Sequence, residues 1–163
     1  MVNDVIGDLI TFPANIIAHQ TNYNGIMGGG VSYYIANTLL SSQAYNDYQS
    51  LCARHKRFLL GKVQFLPSVD AGKYGKATRL VANMFCQDEW VQPDGGITRY
   101  DCMERCLKRI ERFASKNGFS VAIPGNVGCG IAGGNWDRVR PIIESVFMDS
   151  TVPCTIVWRE IKR

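Results

Sequence analysis

Two stretches of this chain carry glycine in a pattern that points to chemistry at the backbone rather than at side chains. One is Asn22-Tyr23-Asn24-Gly25-Ile26-Met27-Gly28-Gly29-Gly30, and the other is Gly125-Asn126-Val127-Gly128-Cys129-Gly130-Ile131-Ala132-Gly133-Gly134. Each follows an apolar, strand-like run and leads into helical sequence. Glycine permits positive φ and, having no side chain, lets a ligand come close to backbone N–H groups. A helix start adds unpaired N–H donors and a partial positive charge, a combination that favours phosphate. Two such loops flanking one crevice could clamp a pyrophosphate, with about 1.5–3 kcal/mol for each N–H on a charged oxygen. The competing reading is that the glycines only form tight turns, their default use. It is weakened because both loops join a strand to a helix.

Other residues could add chemistry to the loops. Asp8, in the turn Gly7-Asp8, could accept a hydrogen bond from an adenine amino group, or could simply shape its turn. Cys129 sits inside the second loop near a helix start, which could lower a thiol pKa, although its side chain could equally face the core. Gly128 to Gly133 also spells G-x-G-x-x-G. A dinucleotide-binding fold with nicotinamide chemistry normally opens with that motif, however, and here only about 30 residues remain after it, with Trp158-Arg159 where an acidic ribose ligand would be wanted.

These loops need elements to hold them. Val2–Ile6, Ala14–His19, Lys62–Leu66, Arg79–Phe85, Phe119–Ile123 and Cys154–Trp158 read as strands, and Val31–Leu40 and Ala44–His55 as helices. A longer helix is predicted from near Thr98, where Thr98 and Asp101 form a capping signature, to Asn117-Gly118. Its buried face would be Met103, Cys106, Leu107, Ile110, Phe113 and Ala114. A last helix is expected over Asn135–Met148, with Pro141 forcing a kink or a late start. Strands alternating with helices imply a layered α/β unit, and no repeat, linker or low-complexity segment divides residues 1–163, so a single domain is expected.

Composition narrows the function class. The chain is 46% hydrophobic and 20% charged, which suits a globular fold, and no apolar run reaches the ~20 residues of a membrane span. The first residues lack the basic and apolar regions of a signal peptide, which points to a cytoplasmic location. The six cysteines lack paired C-x-x-C spacing and there are only two histidines, so a metal centre is not expected and the cysteines read as small apolar residues. The net charge is +4, with Lys and Arg scattered along the sequence, so no nucleic-acid partner is expected.

In the order of these features the sequence resembles macrodomains over essentially its whole length. Gly7-Asp8-Leu9-Ile10 is similar to the family's opening G-D-I-T, and Ile16 to Asn22 stands where I-V-N-A-A-N is common. Gly28-Gly29-Gly30-Val31 matches the end of the first loop, and Gly128 to Trp136 matches the second in the form G-C-G-x-x-x-x-x-W. Asp47-Tyr48, Leu59-Leu60-Gly61-Lys62 and Leu66-Pro67-Ser68 are similar to the branch of yeast-type ADP-ribose 1″-phosphate phosphatases. The resemblance implies a three-layer α/β/α fold with a central mixed sheet that binds ADP-ribose or a derivative without a cofactor. Asp8 and Leu9 would take the adenine, Asn22 the distal ribose, Gly28, Gly29, Gly30 and Val31 with Gly128, Cys129, Gly130, Ile131 and Ala132 the diphosphate, and Trp158 would stack on the base.

His19 stands where the phosphatase branch also has a histidine, and with an ordinary pKa of ~6.5 it could act as general acid or base. Two hydrolytic schemes of the family do not carry over. One needs an acidic residue where this chain has Ser32, and the other needs an Asp where it has Ala132 and a Lys within 31–40. Dephosphorylation of ADP-ribose 1″-phosphate and non-catalytic sensing of an ADP-ribose-like signal or of ADP-ribosylated protein are therefore the two functions to weigh.

Overall fold

The computed structural model describes residues 1–160. Among them six strands form one sheet: β1 (Val2–Ile6), β2 (Ile16–Thr21), β3 (Val63–Pro67), β4 (Leu80–Phe85), β5 (Val121–Pro124) and β6 (Cys154–Trp158). Their order is β1-β6-β5-β2-β4-β3. Every pairing is parallel except β3 against β4, so the sheet is mixed, as expected. Central strand β2 is buried at all six positions, as a parallel strand covered on both faces must be.

Four α-helices supply the cover: α1 (Gly30–Thr38), α2 (Ser42–His55), α3 (Tyr100–Asn117) and α4 (Trp136–Phe147). One core lies between the sheet and α3 and α4, built from residues such as Met84, Met103, Leu107, Ile123 and Phe147. The other lies between the opposite face and α1 and α2, with Ile17, Ile35, Tyr48 and Phe85. The molecule is thus an α/β/α sandwich. No helix among the described residues is long and apolar enough to cross a membrane.

The path of the chain locates the site. After β2 it leaves through α1 over one face toward β3 and β4; after β5 it leaves through α4 over the other face toward β6. Adjacent strands β2 and β5 therefore part in opposite directions, and the crevice at their carboxyl ends is a topological switch point, where open α/β sheets bind ligands. Both glycine loops start there.

Three local expectations need correction. The α3 helix starts at Tyr100, not Thr98, and its N-cap Arg99 has no side-chain capping bond. Thr98 is instead buried and donates its hydroxyl to the Gly128 carbonyl at 2.6 Å. The second strand runs to Thr21 rather than ending at His19, which places His19 inside the sheet. The last helix begins at Trp136 and passes through Pro141 without a late start. Pro141 lies on the exposed side, where the carbonyl left without a donor can meet water.

Candidate functional site

The two loops meet. A Cβ built on Gly29 would lie 3.0 Å from Ile131 Cδ1, so the first loop and the second close on one another across the crevice. Gly29 caps α1 with no side-chain hydrogen bond, and the first turn of that helix holds no acidic residue. Among the described residues no acceptor is present for the backbone N–H of Gly28, Gly29, Gly30 or Val31, nor for that of Gly128, Gly130, Ile131 or Ala132. Four donors on each side are what a bound diphosphate would need. A Cβ on Gly30 or Gly130 would meet nothing within 4 Å, so both face open space.

Strand β2 braces both loops through consecutive residues on its two faces. On the α1 side, His19 Nδ1 lies 2.9 Å from Ser32 Oγ, which also lies 3.1 Å from the Gln20 carbonyl oxygen. On the other side, Gln20 Nε2 donates to Thr98 Oγ1 at 3.0 Å, and Thr98 in turn donates to Gly128 O. Gly128 has φ +73°, and a Cβ there would come within 2.7 Å of Gln20 Oε1. The backbone turn and the packing at Gly128 both require glycine. The second loop is further pinned by Gly134 N–H on Gly128 O at 2.9 Å and by Ile97 N–H on Ala132 O at 2.8 Å.

His19 does not reach the surface. It is fully buried, and its register partner on β4, Asn83, accepts from Nε2 through Oδ1 at 2.6 Å. Asn83 Nδ2 donates to Gln64 Oε1 at 3.1 Å, which fixes the amide and so keeps the proton on Nε2. Burial pulls the His19 pKa down to about 4, the bond to Asn83 opposing it. The ring is thus a neutral brace under Ser32, with neither nitrogen free for a ligand. Ser32, next along these contacts, is half-buried at the start of α1, and sequence reasoning weighed it only as a missing carboxylate.

Several other expected residues also have internal partners. Asn22 Nδ2 donates to Ile26 O at 2.8 Å, and its Oδ1 accepts from Asn24 N–H at 3.0 Å and from Tyr48 OH at 2.9 Å, so this side chain shapes the first loop. Tyr45 holds the same loop by accepting from Met27 N–H at 3.1 Å. Cys129 contributes no free N–H, since it donates to Asn126 O at 2.9 Å, and burial pushes its thiol up to about 11, the reverse of an activated cysteine. All six cysteines are free, as small apolar residues would be.

At the β1 end, Asp8 is exposed and its Oδ1 accepts from Ile10 N–H at 2.9 Å, which makes it a turn former with one oxygen still available. Leu9 is buried, and its N–H has no acceptor among the described residues. This segment is held by Arg79, a buried cation the sequence did not single out, which donates to the carbonyls of Ile10 and Phe12 and pairs with Asp70 at 3.1 Å. Trp158 donates from Nε1 to Asp4 at 2.9 Å, stands edge-on to Trp136 at 5.2 Å, and lays its ring on Gly125, where any Cβ would collide with the indole. A base could stack on Trp158 only on the face that Gly125 leaves uncovered. Arg159 beyond it lies 6.0 Å over the Tyr34 ring of α1, which brings the end of β6 and the first loop to the rim of one hollow.

Gln87 and Asp88 follow the carboxyl end of β4. Gln87 bridges Thr98 through the backbone. Asp88 is buried; burial would raise its pKa, but hydrogen bonds from Tyr23, Arg57, Glu89 N–H and Arg99 hold it down at about 2.

No family model matches the chain. A macrodomain protein from Streptomyces coelicolor shares 27% identity with it, covering 99% of this chain and 100% of the other, with a TM-score of 0.74. Thermosipho africanus DarTG, solved in complex with ADP-ribose, superposes over 99% of this chain and 42% of its own at 20% identity and a TM-score of 0.77. An ADP-ribose 1″-phosphate phosphatase of Saccharomyces cerevisiae is 40% identical over 57 residues, which are 35% of this chain and 31% of that protein.

Proposed function

Starting from the chain's identity as a macrodomain by fold, we propose that it binds ADP-ribose or a close derivative, with the diphosphate held between the two glycine loops. The observation that carries this reading is the pair of opposed cradles. Eight backbone N–H groups of the two loops have no acceptor among the described residues, and the loops that bear them approach one another where Ile131 lies against Gly29. The ADP-ribose bound by the structurally similar Thermosipho protein supports the same ligand class here. The unused Asp8 oxygen and the Leu9 N–H suit the edge of an adenine.

The geometry favours binding over turnover. His19 is buried, neutral and bonded through both nitrogens, so no general base of ordinary pKa reaches the crevice from β2. A second reading, removal of the terminal phosphate from ADP-ribose 1″-phosphate, is supported by the partial likeness to the yeast phosphatase. In that reading Ser32, whose hydroxyl is oriented by His19, would contact the substrate.

A thermal-shift panel of ADP-ribose, its 1″-phosphate, NAD, AMP and cyclic ADP-ribose tests the binding. The expected result is stabilisation by ADP-ribose that exceeds that of AMP; no shift with any nucleotide overturns it. Release of inorganic phosphate from ADP-ribose 1″-phosphate, lost in Ser32→Ala, would establish the second reading. Recovery of intact ligand would exclude it.

A further inference from the structure

Two hollows of the molecule gather cations from distant parts of the chain. One, of about 530 Å³, is lined by Tyr23, Asn24 and Gly25 of the first loop and by Lys56, Arg57, Trp90 and one carboxylate, Glu89, among others. The second, of about 460 Å³, is lined by Gly61 and Val63 together with five cations: Lys62, Arg105, Lys108, Arg109 and Arg112. The sequence scatters these cations between 56 and 112, and the fold collects them by setting the outer face of α3 beside the start of β3.

The hollows are linked through side chains. A chain of ion pairs joins them: Arg57 to Asp88 at 3.1 Å, Asp88 to Arg99 at 3.2 Å, Arg99 to Asp101 at 2.8 Å, and Asp101 to Arg105 at 3.8 Å. The cations at the far end are poorly neutralised. Lys108 reaches Glu104 only at 3.7 Å, and no carboxylate among the described residues lies within 4 Å of Lys62, Arg109 or Arg112. Two guanidinium groups have neighbours on this face. Arg105 lies over Gly61, whose missing Cβ would come within 2.9 Å of Cζ, and Arg109 lies 5.6 Å from the centre of the Phe65 ring. A guanidinium held beside a neighbour loses less side-chain entropy when its N–H edge takes an oxyanion.

At the other end Trp90 is 63% exposed and has Arg57 over its ring at 4.1 Å. Cations at 105, 108, 109 and 112 extend along about 10 Å of helix, enough to follow successive phosphates. An exposed indole beside them offers a stacking surface to an unpaired base, which an acidic peptide would not use. The geometry points to this face as a binding surface for a single-stranded nucleic acid, its phosphodiester backbone on the α3 cations and a base on Trp90. It does not depend on the ADP-ribose reading, since Trp90 and the cations at 62, 105, 108, 109 and 112 belong to neither glycine loop.

Fluorescence anisotropy of the full chain with a labelled 12-nucleotide oligo-dT tests the surface. Binding is expected near a Kd of about 10⁻⁵ M at low salt, and log K should fall against log salt with a slope of about −3 to −4, as five cations at about 0.7 each require. Lys62→Glu with Arg112→Glu, which disturbs no aromatic contact, should weaken binding about tenfold. Trp90→Ala should weaken it about fivefold. Thermal melts of both variants should match the parent, and saturating ADP-ribose should leave the strand bound. The proposal is overturned by no binding at low salt, by unchanged affinity in either variant, by displacement with ADP-ribose, or by poly-glutamate competing as well as the oligonucleotide.

Discussion

The Ile131 side chain of the second glycine loop occupies the space where a side chain at Gly29 of the first loop would begin. The position of a Gly29 Cβ is 3.0 Å from Ile131 Cδ1, whereas Gly130, one residue away, has nothing within 4 Å of its own. The loops are therefore close enough to share one ligand and open enough to admit it. This contrast separates binding from folding. Gly130→Ala should leave stability within about 0.5 kcal/mol, since a methyl there is accommodated in the free protein. The same methyl would fill the cradle and weaken ADP-ribose binding at least about tenfold, a loss of about 1.4 kcal/mol. Calorimetry against a thermal melt reads both quantities.

Gly125 should behave in the opposite way. Its missing side chain is where the Trp158 indole lies, and its N–H is already bonded to Val157 O at 2.9 Å. Gly125→Ala must displace the indole from Gly125 and from its edge contact with Trp136. Overpacking of this kind costs about 1–3 kcal/mol, visible as a lower urea midpoint.

His19 gives the protein a pH signature. Its pKa is lowered from an ordinary 6.5 to about 4 by burial, so the unfolded chain takes up a proton before the folded one does. Its contribution is complete above pH 6.5 and is lost as pH falls from 6.5 through 4, at about 1.4 kcal/mol per pH unit, or about 3 kcal/mol in all. Urea unfolding at stepped pH should show this slope in the parent and not in His19→Asn. A parent that is flat over the window would show that the ring is solvated.

Asp88 should matter for stability at neutral pH. It receives Tyr23 OH at 2.7 Å as well as Arg57 and Arg99, tying the first loop to the segment before α3. Asp88→Ala should cost about 2–3 kcal/mol, less than a fully buried pair, because both guanidinium groups are partly exposed and can turn to water. Its contribution is present above the ordinary carboxylate pKa of 3.8 and disappears as pH falls through about 2, below the range in which His19 titrates.

The fold was legible in the sequence because its signals are local. The stripe Met103, Cys106, Leu107, Ile110 and Ala114 is buried as its spacing requires, and the glycine loops begin where apolar runs end. The placing of both glycine loops between a strand and a helix was legible for the same reason. Side-chain roles were less legible, because they depend on partners distant in sequence. Thr98 reads as a helix cap until Gln20, 78 residues earlier, and Gly128 claim its hydroxyl. His19 reads as an acid or base until Asn83 and Ser32 take both nitrogens. The bond that Asn22 receives from Tyr48 on α2 is likewise absent from the local sequence. The basic face was invisible for a related reason, since only the packing of α3 beside β3 brings Lys62 to Arg112.

Amide resonances under ADP-ribose titration test the central claim most directly. If backbone donors hold the diphosphate, the largest ¹⁵N–¹H shifts fall at Gly28, Gly29, Gly30 and Val31 and at Gly128, Gly130, Ile131 and Ala132, on both loops at once and at the same ligand concentration. Shifts confined to one loop, or centred on the hollow beside Trp90, would contradict it.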